Sequence, residues 1–211
     1  VTLVVSAAGD SDYAPVSIAQ AITIGQATPT LVFTSANTLN VDGTLTATVS
    51  TTATYGRGGV VTYAVIAGSG SATVNPLTGI VTGVNVGTIT LTATTAGDAN
   101  YKSVTATQLI TIGKSTPVLT ITSVNALPGS ITVTVLTTAT YGRGGAITYA
   151  VIAGSGSATV NATTGVLTGV VTGTLTLTAT AAGDSNYNTT TASQLVTVNS
   201  KPAPTLTITS A

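Results

Sequence analysis

The most polar recurring element of the chain is a short loop, Gly-Asp-x-Asp/Asn-Tyr. It carries Asp10 and Asp12 in its first copy, Asp98 and Asn100 in its second, and Asp184 and Asn186 in its third. Alternating oxygen-bearing side chains of this kind can open a calcium loop. Calcium, however, takes about six to eight oxygens and usually a bidentate acid. The second and third copies bring one carboxylate each, and every acid of the chain is Asp, with no Glu to complete a shell. Asp98, Asn100, Asp184 and Asn186 are therefore weak metal ligands. The simpler expectation is a hairpin turn between the last two strands of a unit. Gly would supply φ > 0, Asp or Asn would make an Asx-turn, and Tyr would anchor the corner.

A second recurring element, Tyr-Gly-Arg-Gly-Gly, places Tyr55 beside Arg57 and Tyr141 beside Arg143. An arginine isolated among glycines beside an aromatic could stack on a sugar or grip an anion with its planar fork. These four residues are the candidate contact loops; the plainer alternative is a permissive loop whose Arg adds solubility. An intramolecular isopeptide crosslink of the Gram-positive type would need a buried Lys in every unit. Lys102 is matched by Asn188, and Lys114 and Lys201 stand close to Pro in linkers, so these read as solvated lysines. The Asn-Pro-Leu-Thr-Gly run at 75–79 returns as Asn-Ala-Thr-Thr-Gly at 161–165, which makes it a turn and not a sorting signal. Asn161 and Asn188 match the glycosylation pattern, with little weight.

Composition removes most other chemistry. Of 211 residues only 5% are charged, the net charge is zero, and His, Cys, Met and Trp are absent. Zinc, haem and iron–sulfur centres lack their usual ligands, and no Ser-His-Asp or Cys-His arrangement can be built. The expectation is no enzyme, no cofactor and no catalytic residue. Nucleic acid demands a basic footprint that two arginines and three lysines do not make. No run approaches the roughly 18 apolar residues of a membrane helix, so no membrane insertion is expected.

The elements that must position these loops come in copies. Tyr55 and Tyr141 lie 86 positions apart, and most positions that follow agree as far as Gln108 and Gln194. A period of that length is a whole domain, not a solenoid unit of about 20–50 residues. Residues 7–13 match 95–101 and 181–187, and 202–210 resemble 115–123. The expected organisation is a trailing hairpin over 1–24, one repeat over 25–112, another over 113–198, and a linker with a leading strand over 199–211. In this frame the ends fall out of register with the units, and a continuing polypeptide or another subunit is expected to complete them.

Within a repeat the pattern is β throughout. Thr-X-Thr alternation at 45–49, 88–94, 131–135 and 174–180 sets Leu, Ile, Val and Ala on one face and Thr on the other. The phase predicts Leu45, Ala47, Val49, Ile89, Leu91 and Ala93 inward, with Thr46, Thr48, Thr90 and Thr92 outward. Gly and Asn/Pro clusters punctuate the runs. Seven strands are expected in the first repeat, near 30–34, 45–49, 60–66, 72–75, 80–82, 88–94 and 105–112. Seven short antiparallel strands in such a length make a β-sandwich.

The run Ser-Ala-Thr-Val … Gly-Ile-Val-Thr-Gly … Gly-Thr-Ile-Thr-Leu-Thr-Ala-Thr over 71–94 resembles the second half of bacterial immunoglobulin-like domains. Residues 97–117 resemble the closing strand and linker of their tandem copies. The resemblance implies tandem Ig-like antiparallel β-sandwiches from an extracellular or cell-surface bacterial protein. The expected role is a non-enzymatic stalk, fibre or surface-layer element whose partners are other copies or flanking repeats. The alternative is an adhesive module that recognises surface glycans or a host receptor through its inter-strand loops. So low a charge also suggests self-association.

Overall fold

The structure, a computed structural model, describes residues 1–52, 60–122, 126–127, 132–134, 137–139, 146–201 and 203. The chain is all-β, with no helix among the described residues. A hairpin opens it, with β1 at Thr2–Ala7 and β2 at Val16–Ala21. The first repeat then supplies β3 (Leu31–Phe33), β4 (Thr38–Asn40), β5 (Thr44–Thr46), β6 (Val49–Thr51), β7 (Val61–Ala67), β8 (Ser71–Val74), β9 (Ile80–Asn85), β10 (Gly87–Thr95) and β11 (Val104–Gly113). The second repeats the order with β12 (Leu119–Ile121), β13 (Ala126–Leu127), β14 (Thr132–Thr134), β15 (Thr137–Ala139), β16 (Ile147–Ala153), β17 (Ser157–Val160), β18 (Val166–Val171), β19 (Gly173–Ala181) and β20 (Thr190–Val198).

Each repeat is an Ig-like sandwich. In the first, β4-β11-β10-β7 form one sheet, with β5-β9-β8 and β3-β6 as separate groups; β13-β20-β19-β16, β14-β18-β17 and β12-β15 reproduce this in the second. Pairing is antiparallel except for β4 on β11 and β13 on β20, short parallel additions at one edge. Each of the seven runs expected in the first repeat holds a strand. The run at 45–49 holds parts of two, because the chain changes partners there: β5 pairs with β9 and β6 with β3, around buried Ala47. β4 is an added strand that lies between the expected runs.

The alternation predicts the buried face. Ile89, Leu91, Ala93, Ile110 and Ile112 are buried in the large sheet, and Val81 meets them from the opposing one. Leu45 and Val49 are half-buried, and Thr46 and Thr48 are exposed. β-Branched Thr on the wet side and Ile or Leu on the dry side suit one pleated strand to both environments.

Hairpin β1–β2 repeats the register of β10–β11, with Thr2 opposite Ala21 as Thr90 is opposite Leu109. Its Leu3, Val5, Ile22 and Ile24 occupy the positions of buried Leu91, Ala93, Ile110 and Ile112, yet all four are exposed. The leading strand expected within 199–211 falls largely outside the described residues.

Candidate functional site

The three Gly-Asp-x-Asp/Asn-Tyr loops share one construction. The Asp184 Oδ1 atom accepts hydrogen bonds from the backbone N–H groups of Asn186 (2.7 Å) and Tyr187 (2.8 Å). Asp98 does the same for Asn100 and Tyr101, and Asp10 for Asp12 and Tyr13. A backbone bond closes each turn, from Asp184 N to Tyr187 O (3.0 Å), Asp98 N to Tyr101 O (2.9 Å) and Asp10 N to Tyr13 O (2.9 Å). These are Asx-turns in which one carboxylate oxygen is committed to the backbone. The expected positive φ at the glycine is not observed at Gly9, Gly97 or Gly183. Glycine is required there for space, since a Cβ on Gly97 would lie 2.7 Å from Ser103 N and one on Gly183 would lie 2.7 Å from Tyr187 O.

Among the described residues no group of three or more acidic, His or Cys side chains gathers to hold a metal. At the third loop a cation from the chain itself is already placed: the Lys114 ammonium donates to the Asp184 carbonyl at 2.6 Å. Gln26 Nε2 fills that role at the second loop, donating to the Asp98 carbonyl at 2.6 Å. Neutral Gln and charged Lys thus place a side-chain donor on the same carbonyl of the motif.

The three tyrosines have different surroundings. Tyr13 is exposed, Tyr101 is half-buried, and Tyr187 is only 2% exposed. The Tyr187 backbone closes its own hairpin turn, while its side chain reaches into the other repeat. Its ring joins the core cluster of the first repeat, with Leu39, Val41, Val81, Ile110 and Ile112. The phenol donates to the Asp42 carboxylate across 145 sequence positions. Neighbouring groups complete the joint. Asn186 Nδ2 donates to Asn85 Oδ1 (2.9 Å), and Asn186 Oδ1 accepts from the Val86 N–H (3.1 Å). The Ser115 hydroxyl donates to the Val41 carbonyl at 2.6 Å.

The receiving surface is built from two turns of the first repeat. Asp42 occupies the turn closed by Gly43 N to Asn40 O, with φ 59°. It is the single described non-glycine residue with positive φ. Asp and Asn tolerate that left-handed region better than other side chains, and here the conformation coincides with a carboxylate bonded to Tyr187. Asn85 and Val86 lie at the β9–β10 crossing, where Gly87 takes φ +134°. The Ser115 and Tyr187 backbones form a parallel bridge, so linker and loop of the second repeat meet the first together. The corresponding bridge at the head of the first repeat joins Ala27 and Tyr101.

Of the residues singled out from sequence, Asp184 and Asn186 belong to this joint, and Asp98 and Asn100 form the equivalent turn at the head of the first repeat. Tyr55, Arg57, Tyr141 and Arg143 lie outside the described residues. Asn75 and Asn161 each cap their own turn, with Oδ1 accepting two backbone N–H groups, as a turn reading of both runs requires. Asp42, Asn85 and Ser115 were not singled out. The one available signal was the Asp-Gly pair at 42–43, a turn dipeptide found in a segment where the second repeat reads Pro-Gly-Ser.

No family model matches the chain, and no curated protein matches it. Among solved structures it is similar to fibronectin(III)-like modules of Clostridium thermocellum CbhA, at 14% identity and TM-score 0.32, covering 82% of this chain and 94% of that one. It is also similar to chicken VE-cadherin EC1-2, at 15% identity and TM-score 0.29, covering 77% and 96%. A third likeness, to zebrafish RET cadherin-like domains 1 to 4, has 12% identity and TM-score 0.26, covering 68% of this chain and 42% of that one. With scores this low, the Ig-like assignment rests on the chain's own strands and their order.

Proposed function

We propose that the chain is a non-enzymatic structural repeat of an extracellular bacterial surface protein. Residues 25–112 and 113–198 are its two complete units, and their property is length held at a fixed joint. The observation that carries this reading is Tyr187, a residue of one repeat buried in the core of the other and bonded to Asp42. A flexible tether needs no such investment, whereas a load-bearing spacer does. Exposed loops and scarce charge suit an element that works by shape. Labelling with an antibody against the repeats, on intact cells and on lysed cells, tests the location. Electron microscopy of the same surface tests the role. Signal on intact cells, on projections whose length follows the number of repeats, supports the reading. Signal confined to lysed cells, or projections unchanged when repeats are deleted, overturns it.

A further inference from the structure

Among the described residues no strand carries a charged side chain; the described ionised residues all lie in turns, linkers or ends. A surface with so little charge has little electrostatic repulsion to keep copies apart. On the outer face of the first repeat's large sheet, Thr90 stands opposite Leu109 on one side and Ile66 on the other, so the three form one row across β7, β10 and β11. Thr176, Leu195 and Ile152 form the same row in the second repeat. Every other outward position of these strands is Thr, Ser or Ala. Ile66 and Leu109 are 65% and 62% exposed, and Ile152 and Leu195 are 67% and 64% exposed.

Single exposed apolar residues need no explanation, and several here are not repeated. Val32, Val60 and Leu77 give way to Thr120, Ala146 and Thr163. The Ile–Thr–Leu row is kept whole in both units.

We propose that this face docks on the same face of a second copy of the chain. The face is self-complementary in charge, having none, and its row is symmetric about threonine, with one aliphatic side chain on each side. A two-fold axis through Thr90 along the strands sets Ile66 of one copy over Leu109 of the other, with threonine hydroxyls meeting between them. Three strands about 4.8 Å apart and roughly 23 Å long offer about 330 Å² of face. One repeat against one repeat then buries about 660 Å², short of the roughly 1,200 Å² of a stable interface, so the proposal requires both repeats to engage together, for about 1,300 Å². Docking is therefore a property of the array, and it strengthens with each repeat engaged. A charge set into the row has to be buried without a partner, which opposes docking directly.

Sedimentation velocity of the full chain over a range of concentrations tests this against two double variants. Leu109→Lys with Leu195→Lys places charge in the row; Val84→Lys with Val170→Lys places it at exposed positions on other strands. All four sites are exposed, and thermal melting checks that both variants fold. The expected result is reversible association of the parent chain, weakened about tenfold or more by the leucine pair and little changed by the valine pair. A parent that stays monomeric overturns the proposal, as does equal weakening by both pairs. Association that survives the leucine pair but is lost with Val5→Lys and Ile18→Lys belongs to the β1–β2 hairpin and also overturns it. The spacer reading stands apart, since monomeric copies can still be joined end to end.

Discussion

Replacing Tyr187 with alanine removes a ring that one repeat lends to the core of the other, so the loss should appear in the coupling of the two. A tyrosine buries about 150–250 Å². At about 25 cal/mol per Å² that is an upper figure of about 4–6 kcal/mol, and aromatic-to-alanine truncations in cores cost about 3–5 kcal/mol. Two repeats that unfold together make a unit of roughly 170 residues, whose midpoint moves about 2–4 °C per kcal/mol. Tyr187→Ala should therefore lower the melting midpoint by about 6–20 °C and split one calorimetric transition into two. Tyr187→Phe keeps the ring and loses only the bond to the Asp42 carboxylate, worth about 1.5–3 kcal/mol for a bond to a charged group, or about 3–12 °C. The chain supplies its own control in Tyr101, the same residue of the same motif but only half-buried. Tyr101→Ala should cost no more than about a third as much as Tyr187→Ala. Equal shifts for the two alanine variants, or a single unchanged transition for Tyr187→Ala, would refute the reasoning.

Calorimetric titration with calcium should show no stoichiometric binding, and EDTA should leave the melting temperature alone, because Asp98 and Asp184 each commit an oxygen to two backbone N–H groups; a rise of several degrees with calcium would contradict this. Gly87→Ala should destabilise the first repeat by about 2 kcal/mol or more in urea unfolding, since the new Cβ would lie 2.4 Å from Gly70 N at a φ of +134°. Leu91→Asp should prevent folding of the first repeat while Thr92→Asp costs about 1 kcal/mol or less, as read by circular dichroism; the reverse order would mean the strand faces the other way.

The strands were legible because Thr and the aliphatic residues alternate with a period of two, and burial follows that period through β10 and β11. β4 was not legible: Thr-Leu-Asn is too short to show a period, and it is a strand only because β11 lies beside it. The run at 45–49 could not announce its change of sheet, since alternation reports which face is dry and not which strand is the partner. The Asx-turns were legible in the Asp and Asn spacing, but the role of Gly97 was misread, because a close approach of backbone leaves the same glycine as a positive φ. The joint was the least legible part. Tyr13, Tyr101 and Tyr187 share one motif, and only Tyr187 meets a receiving surface, made by Asp42 and Asn85 far along the chain. In the second repeat Val171 stands where Asn85 stands in the first, so comparing the repeats hides the site instead of marking it.

The fixed joint is tested most directly by a distance measured across it. The chain has no cysteine, so Thr46→Cys on β5 and Thr191→Cys on β20, both exposed, accept one spin label each without competing sites. Pulsed electron resonance on this pair should give one narrow distance distribution, which broadens when Tyr187→Ala or Asp42→Ala is added. A distribution already broad with Tyr187 and Asp42 in place, and unchanged by their removal, would contradict a joint held by these residues.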